Sequence, residues 1–453
     1  MSGRNDLTGG VIWKKLLIFF LPIAAGTVFQ QLYNAVDALI VGKFVGTGAL
    51  AAVGGSPAIL TNVVIGFFVA LTSGSAVVIA QQYGARNHET VSRAVQTAMA
   101  FAALLGLLLG AVLYITTPAL LRLLKTPADT MADSVRYMRI YALGSVFILV
   151  FNMGCGILRS VGDSRRPLLY SVICCFVNIA ADLFFVVFLH LGVAGVALAT
   201  VLTEALSVVL VLRDLLKAQD SYRLIPKQLR IAPPLLRQMM RVGIPSGLES
   251  AMYGISNMIL QVGINLLGTV VVASWALSGK VDGIYWALSN AFGAALTSFV
   301  GQNYGAGKTE RIRASVRTGF RMAMLGTVGM SLIILLLAKP VLVLCSDDVE
   351  VQRVSFQIMM YFVPVYFTWT LIEVLSGVLR GVGDVVVPVI IIGVGVCALR
   401  IVWVYTVFRL YPTLFVLSIT YPVSWIVADI AMFIYYKKKS LIAKMRMMEG
   451  KKA

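Results

Sequence analysis

Apolar residues run along this chain in long stretches, broken at regular intervals by short polar ones. An α-helix needs about 20 mainly apolar residues to cross a bilayer. Counting runs of that length predicts six helices in the first half, near 14–42, 50–81, 91–117, 132–160, 166–190 and 193–213. Six more follow near 236–267, 270–302, 312–337, 352–381, 385–409 and 413–437. Several are longer than a bilayer is thick, so tilt, bending or protruding ends are expected. The stretch after Lys14 and Lys15 continues too far for a signal peptide and has no small-residue cleavage pattern. It reads as the first span.

The pattern occurs twice. "GILRSVGDSRRP" at 156–167 returns as "GVLRGVGDVVVP" at 377–388, and "YGARNHETVSRAVQT" at 83–97 returns as "YGAGKTERIRASVRT" at 304–318, both at an offset of 221. Pro22 and Asn34 match Pro245 and Asn257 at an offset of 223. An even number of spans per repeat gives both halves the same orientation, a parallel repeat about the membrane normal with a cavity expected between the lobes. The expected fold is an all-α integral membrane protein of 12 transmembrane helices in two parallel six-helix repeats around a central cavity. The expected division is an N-terminal lobe at 1–213, a cytoplasmic linker at 214–235, a C-terminal lobe at 236–437 and a basic tail at 438–453.

Composition agrees with membrane burial: 59% of the 453 residues are hydrophobic and 13% charged, with mean hydropathy +0.88. The net charge of +18 comes with no basic, aromatic-interleaved soluble module, so nucleic acid is not an expected partner. The basic residues follow topology instead. One set of alternate segments holds Lys14, Lys15, Arg86, Arg93, Arg165, Arg166, the 213–241 stretch, Lys308, Arg311, Arg313 and the Lys-rich tail. The opposite set holds only Lys43, Arg122, Lys125, Lys339, Arg353 and Arg409. Excess Lys and Arg mark the cytoplasmic side, which puts both termini and the linker there. Five cysteines show no metal-ligand spacing and read as small buried hydrophobes. His88 and His190 read as loop residues. Gly74, Ser75 and Ala76 read as a site of close helix packing.

Duplication separates scaffold from candidate chemistry. Asp163 and Asp384 in the two "VGD" loops, and Tyr83 and Tyr304 in the two "YGA" loops, are kept in both halves and read as turns and helix ends. Arg159 and Arg380 read as anchors at the cytoplasmic face. Asp37, in "QLYNAVDALIVG", meets Leu260 in the second half. Asn178 and Asp182 meet Leu399 and Trp403 at the uniform offset.

An ionisable side chain at membrane depth costs about 2.5–3.5 kcal/mol on insertion scales and faces a bundle interior or wet cavity. Gln30, Asn34 and Asp37 form one stripe at i, i+4, i+7, and Asn178 and Asp182 share a helix face. The chain reverses at 190–192 and returns Thr200 to similar depth. Two acids with an amide and a hydroxyl suit a proton carrier, a Na⁺ site of hard oxygens, or a buried hydrogen-bond network without transport. Pro22 removes a backbone hydrogen bond and marks an expected bend below Asp37. In the second half Glu249, Lys280, Asp282, Glu373 and Arg400 fall inside spans. Glu373 with Arg400, and Lys280 with either acid, are candidate ion pairs. The alternative is a substrate cavity helped by Tyr253, Tyr285 and Trp286.

Nearly the whole chain resembles the multidrug and toxic compound extrusion (MATE) family, most of all its DinF-like bacterial branch. The resemblance rests on "QQLYNAVDALIVGKFVG", the "YGA" and "VGD" loops of both halves, "NIAAD" and "FVGQNYGAGK". It implies multidrug efflux across a bacterial plasma (inner) membrane by cation-coupled antiport. Amphipathic, often cationic xenobiotics would be the substrates. It implies H⁺ or Na⁺ coupling at Asp37, Asn178, Asp182 and Thr200, with Pro22, Gln30 and Asn34 in the substrate cavity and helix-one switch. No cofactor is expected, no metal beyond Na⁺, and a monomer in the bilayer. The NorM-like branch has an acid further along helix seven, where this chain has Tyr253, its nearest acid being Glu249. One rival is a lipid-linked oligosaccharide flippase, which would want a cationic groove where this first lobe is acidic. A lipid-modifying enzyme would want a mid-span His or Cys near acids, and an ATP-driven pump a GxxxxGK[ST] loop, which is lacking. A cysteine placed in the C-terminal tail should resist an impermeant thiol reagent in intact cells and react after lysis. Labelling in intact cells would overturn the assigned topology.

Overall fold

The computed structural model describes residues 6–440, which contain no strand. Twelve long helical segments succeed one another. They are α1 (Ile12–Val45), α2 (Ala51–Gly84), α3 (His88–Leu123), α4 (Ala128–Ser160), α5 (Arg165–Phe188) and α6 (Gly192–Lys217). The second six are α7 (Pro233–Leu266) and α8 (Thr269–Gly305), then α9 (Thr309–Cys345), α10 (Val349–Gly381), α11 (Val386–Leu410) and α12 (Leu414–Lys438). Ten are long and apolar enough to cross a membrane by length and composition. α7 and α8 are equally long but more polar, carrying Glu249, Asn257 and Gln261, and Lys280, Asp282 and Asn290. Leucines and isoleucines stay exposed along α3 and α9, among them Leu104, Leu108, Ile115, Leu325 and Leu336. Such apolar faces suit lipid.

Two compact units result. One holds Phe19–Gly247; the other holds Thr8–Ile18 and the chain from Leu248. The polar stretch after α6 is part of the first unit's core. Tyr222, Leu224, Leu235 and Met239 are buried there, and Gln96 donates to the Arg223 carbonyl at 2.9 Å while accepting from the Ile225 N–H. In the second unit, Lys308 donates to the Thr8 carbonyl at 2.7 Å, and Arg311 donates to the carbonyls of Gly9 and Gly10.

The repeated loop pairs behave as scaffold. Gly162 and Gly383 of the two "VGD" turns have φ of 89° and 82°, left-handed values that favour glycine. Asp163 accepts from the N–H groups of Arg165 and Arg166 at the start of α5, and Tyr435 donates to Asp384 at 2.8 Å. In the "YGA" loops Arg86 and Gly307, also 221 apart, take φ of 57° and 68°, and Tyr83 donates to Asp220.

The offset drifts because the two halves place π-turns differently. A π-turn closes i→i+5 instead of i→i+4 and so accommodates one extra residue in a helix. Gly46 and Gly268, which both precede a helix with φ of 115° and 96°, are 222 apart. One extra residue therefore lies between Asn34 and Gly46, where α1 has a π-turn at Val41–Val45 and α7 remains α-helical to Leu266. A second lies before Tyr83, where α2 has a π-turn at Thr61–Ile65. In α5 the π-turn is Leu183–Phe188, after the acid, whereas in α11 it is Gly393–Ala398, earlier in the helix. Between those turns the register shifts by one. The counterparts of Asn178 and Asp182 are thus Arg400 and Val404, not Leu399 and Trp403 as uniform spacing implied. Burial agrees: Arg400 and Val404 are buried, while Leu399 and Trp403 are only partly so.

Glycine sets the closest approach inside the first unit. A Cβ on Gly74 of α2 would lie 2.1 Å from the Met239 carbonyl and 2.6 Å from the Gly243 nitrogen of α7, as the small-residue reading of Gly74 expected. Gly74→Ala should therefore cost about 1–3 kcal/mol, because backbone must move. Gly326→Ala, with nothing within 4 Å, should be neutral. Thermal unfolding in detergent compares the two, and equal midpoints would count against this contact.

Candidate functional site

Asp37 on α1 and Asp182 on α5 meet inside the first unit. Asp182 and Asn178, one helical turn apart, are fully buried, and Asp37 is partly buried. The carboxyls of Asp37 and Asp182 are neighbours, yet Oδ1 of Asp37 and both oxygens of Asp182 have no donor among the described residues. Two carboxylates are acceptors only, so a bond between them needs a shared proton. Both polar atoms of the Asn178 amide are likewise unpartnered. Thr200 on α6 donates to the Val196 carbonyl at 3.1 Å, leaving its oxygen free to accept. Each acid precedes a π-turn, Val41–Val45 or Leu183–Phe188, a local irregularity frequent at functional sites.

A hollow of about 20 Å³ is lined by Gln30, Tyr33, Asn178, Thr200, Thr203 and Glu204 among others. A water needs roughly 10–15 Å³, so there is room for one. Glu204 has no ion-pair partner among the described residues and accepts only from Ser207, 3.4 Å away on its own helix. Tyr137 lies beside both aspartates and stacks with Tyr141 at 5.9 Å. Tyr33 lies beside Gln30, Asp37 and Glu204. The sequence reading missed Glu204, Tyr33, Tyr137 and Tyr141. Glu204 was findable, as an acid one turn beyond Thr200 inside an apolar run; the tyrosines carried no such signal. Asn34 is exposed and donates to Gln31 at 3.4 Å. Pro22 lies within an unbroken α-helix, Ile12–Ile40; the irregular turn comes after Asp37.

The second unit solves its charges differently. The expected pairing of Glu373 with Arg400 is not formed. Glu249 pairs with Arg380 at 3.1 Å, so Arg380 is an ion-pair partner as well as a helix-end residue. Arg400 donates through Nε to Ser424 at 3.1 Å and lies 4.1 Å from the Tyr421 ring. Lys280 is exposed and has no ion pair among the described residues. Glu373 Oε1 rests over Gly293, where a Cβ would approach to 1.8 Å. Asp282 accepts from Trp286 Nε1 at 2.9 Å, and its other oxygen has no partner. Trp275, Trp286, Phe362, Tyr366, Tyr421 and Trp425 surround a hollow of about 60 Å³ beside Asp282. Tyr253 packs edge-on against Trp369, 6.1 Å between centroids.

The MatE family model matches residues 22–184 and 245–406, the two repeats separately. The chain belongs to the MatE family. MatE proteins are membrane transporters rather than enzymes, and this member is a multi-pass membrane protein. It is 26% identical over 454 residues to the probable multidrug resistance protein YoeA of Bacillus subtilis, covering 95% of each chain. It is 23% identical to the probable multidrug resistance protein NorM of Thermotoga maritima, covering 86% of this chain and 84% of that one. Its fold matches an outward-facing multidrug resistance MATE transporter of the MOP superfamily with TM-score 0.89 at 22% identity, over 97% and 100% of the two chains. A MOP superfamily transporter from Pyrococcus furiosus matches equally, TM-score 0.89 over 99% of each.

An unpartnered buried charge destabilises a fold. Asp182→Asn in this MatE protein should therefore unfold at the same or a higher temperature than wild type. Glu249→Ala, which strands Arg380, should lose about 1–3 kcal/mol. Thermal unfolding of both variants in detergent checks this; a large loss for Asp182→Asn would make Asp182 a structural anchor.

Proposed function

We propose that this MatE protein is a secondary multidrug exporter driven by inward flow of H⁺ or Na⁺. Asp37, Asn178, Asp182 and Thr200 form the coupling site. The observation that carries this reading is the neighbouring pair of Asp37 and Asp182 with no cationic partner among the described residues. A site of that kind is stable only when it holds a proton or a cation, which is what coupling demands. Loading and unloading it changes the charge around Asp37 on α1. Pro22 and the π-turn at Val41–Val45 are its two departures from regular α-helical hydrogen bonding.

The substrate is an amphipathic compound, often cationic. The aromatic hollow beside Asp282 supports this class, because ring faces attract cations and offer apolar contact together. Glu249 and Tyr253 of the same unit supply further polar groups. One chain is the transport unit, in a bacterial plasma membrane, with both termini on the cytoplasmic side. The names of the relatives, which describe multidrug resistance, agree with this reading.

Reconstitution tests it. Proteoliposomes loaded with a fluorescent organic cation should export it when an H⁺ or a Na⁺ gradient is imposed separately, and only one ion should be sufficient. Asp37→Asn should insert and fold normally but slow driven export at least about tenfold. Equal export by this variant and wild type would reduce Asp37 to a structural residue.

A further inference from the structure

The two repeats place different chemistry at one equivalent position, and the difference identifies a site. In α6 and α12 the offset of 221 holds throughout. Buried Val196, Ala197, Ala199, Thr203 and Ser207 match buried Leu417, Ser418, Thr420, Ser424 and Ala428. Thr200 therefore corresponds to Tyr421, Thr203 to Ser424 and Glu204 to Trp425. With the π-turn correction, Asn178 corresponds to Arg400.

In the second unit these four residues are one assembly. The Arg400 guanidinium is bonded to Ser424 and lies against the rings of Tyr421 and Trp425, at 4.1 Å and 5.9 Å. A permanent cation is built into the helix pair and held by ring faces. In the first unit the same place is occupied by a neutral amide, two hydroxyls and the Glu204 carboxylate, around a hollow of about 20 Å³. The built-in cation is missing and the ring that received it is replaced by an anion. Nothing in the first unit supplies the lost charge, because Glu204 has no ion-pair partner among the described residues. The amide of Asn178, fully buried, makes no hydrogen bond to any described residue.

We propose that Glu204 holds a small monovalent cation in this hollow, a second station that shares the Asn178 amide and the Thr200 hydroxyl with the Asp37–Asp182 pair. The donor set is oxygen throughout: carboxylate, amide carbonyl and hydroxyl, the hard ligands suited to an alkali cation or hydronium. Size decides against an organic substrate there. One water's worth of room takes a bare or singly hydrated ion, whereas the hollow at Asp282 is about 60 Å³ and aromatic. The polar faces are continuous, with Asp182, Asn178 and Cys174 at successive turns of α5 and Thr200, Glu204 and Ser207 along α6. Cys174 Sγ lies 3.9 Å from the Thr203 carbonyl, tying the two stripes together. Asn178, one helical turn from Asp182, lines the Glu204 hollow and so joins the two stations. This rests on the coupled-export reading and adds to it that the first unit loads a cation at two places.

The test counts cations on purified full-length protein. Saturable ²²Na⁺ binding, and proton uptake after an acid jump read with an indicator dye, are measured for wild type, Glu204→Gln, Glu204→Asp and Asp37→Asn. The proposal expects Glu204→Gln to lose about one cation per chain, and Glu204→Asp to restore it. The loss appears in the ²²Na⁺ count if the ion is Na⁺ and in the proton count if it is H⁺. Binding of a fluorescent organic cation should be unchanged by Glu204→Gln. Equal counts in wild type and Glu204→Gln, with a reduced count in Asp37→Asn, would remove the Glu204 site and leave coupled export standing. No cation on wild type would remove both. If Glu204→Gln does not fold, carbodiimide labelling of wild type followed by mass spectrometry decides. Labelling of Glu204 that falls with added Na⁺ or at high pH supports the site, and no labelling under any condition overturns it.

Discussion

Carboxylates that cannot find a positive partner are the constraint on which the first unit depends. Removing a charge from water costs several kcal/mol even after local relaxation, and only a counter-charge, a proton or a bound ion repays it. The acid pair and Glu204 have none of the first kind within the described residues. Their surroundings therefore suit exchangeable charge: an unpartnered amide, hydroxyls with free lone pairs and two π-turns, one after each aspartate. Such an arrangement is expensive as scaffold and useful as a switch, since its stable state depends on which ion it has bound.

The second unit shows the alternative solution on the same helical frame. There Glu249 meets Arg380, and Arg400 lies on aromatic rings, so these charges are neutralised or dispersed internally, while Asp282 keeps one oxygen unpartnered among the described residues. The two repeats thus share loops, caps and helix order but divide the electrostatic work. One half holds fixed charges and stacked rings; the other holds acids suited to mobile charge. This division arises from substitutions at a few buried positions, with the surrounding packing retained.

The frame that tolerates this rests on backbone contacts and capped turns. Gly74 lets α2 touch the backbone of α7, and the "VGD" turns bring a left-handed glycine and a capping aspartate to the start of a helix. These features bury no unpaired charge and have no reason to change with ion occupancy. The π-turns are of another kind, since a wide turn can revert to α geometry only by shifting the register of the helix beyond it. Two of them follow Asp37 and Asp182, where a change of protonation or ion binding would be felt first.

Hydrophobic run lengths determined the helices, because the bilayer sets a minimum apolar length that any sequence must satisfy. The repeated loops determined the duplication, and the absence of a match for Asp37 in the second half marked it as chemistry rather than scaffold. These features depend on local or linear order alone. The partners of buried charges do not: Glu249 with Arg380 is a contact 131 positions apart, and several other acids were equally plausible on paper. Register was lost in the same way. A π-turn leaves no reliable trace in composition, yet one in α5 and an earlier one in α11 change which residue matches Asn178 from Leu399 to Arg400. Tyr137 and Glu204 became neighbours of the site only when α4 and α6 packed against α1 and α5. Tertiary structure decided these matters because electrostatic pairing depends on distance through space and on helical phase, and neither is recorded by spacing along the chain.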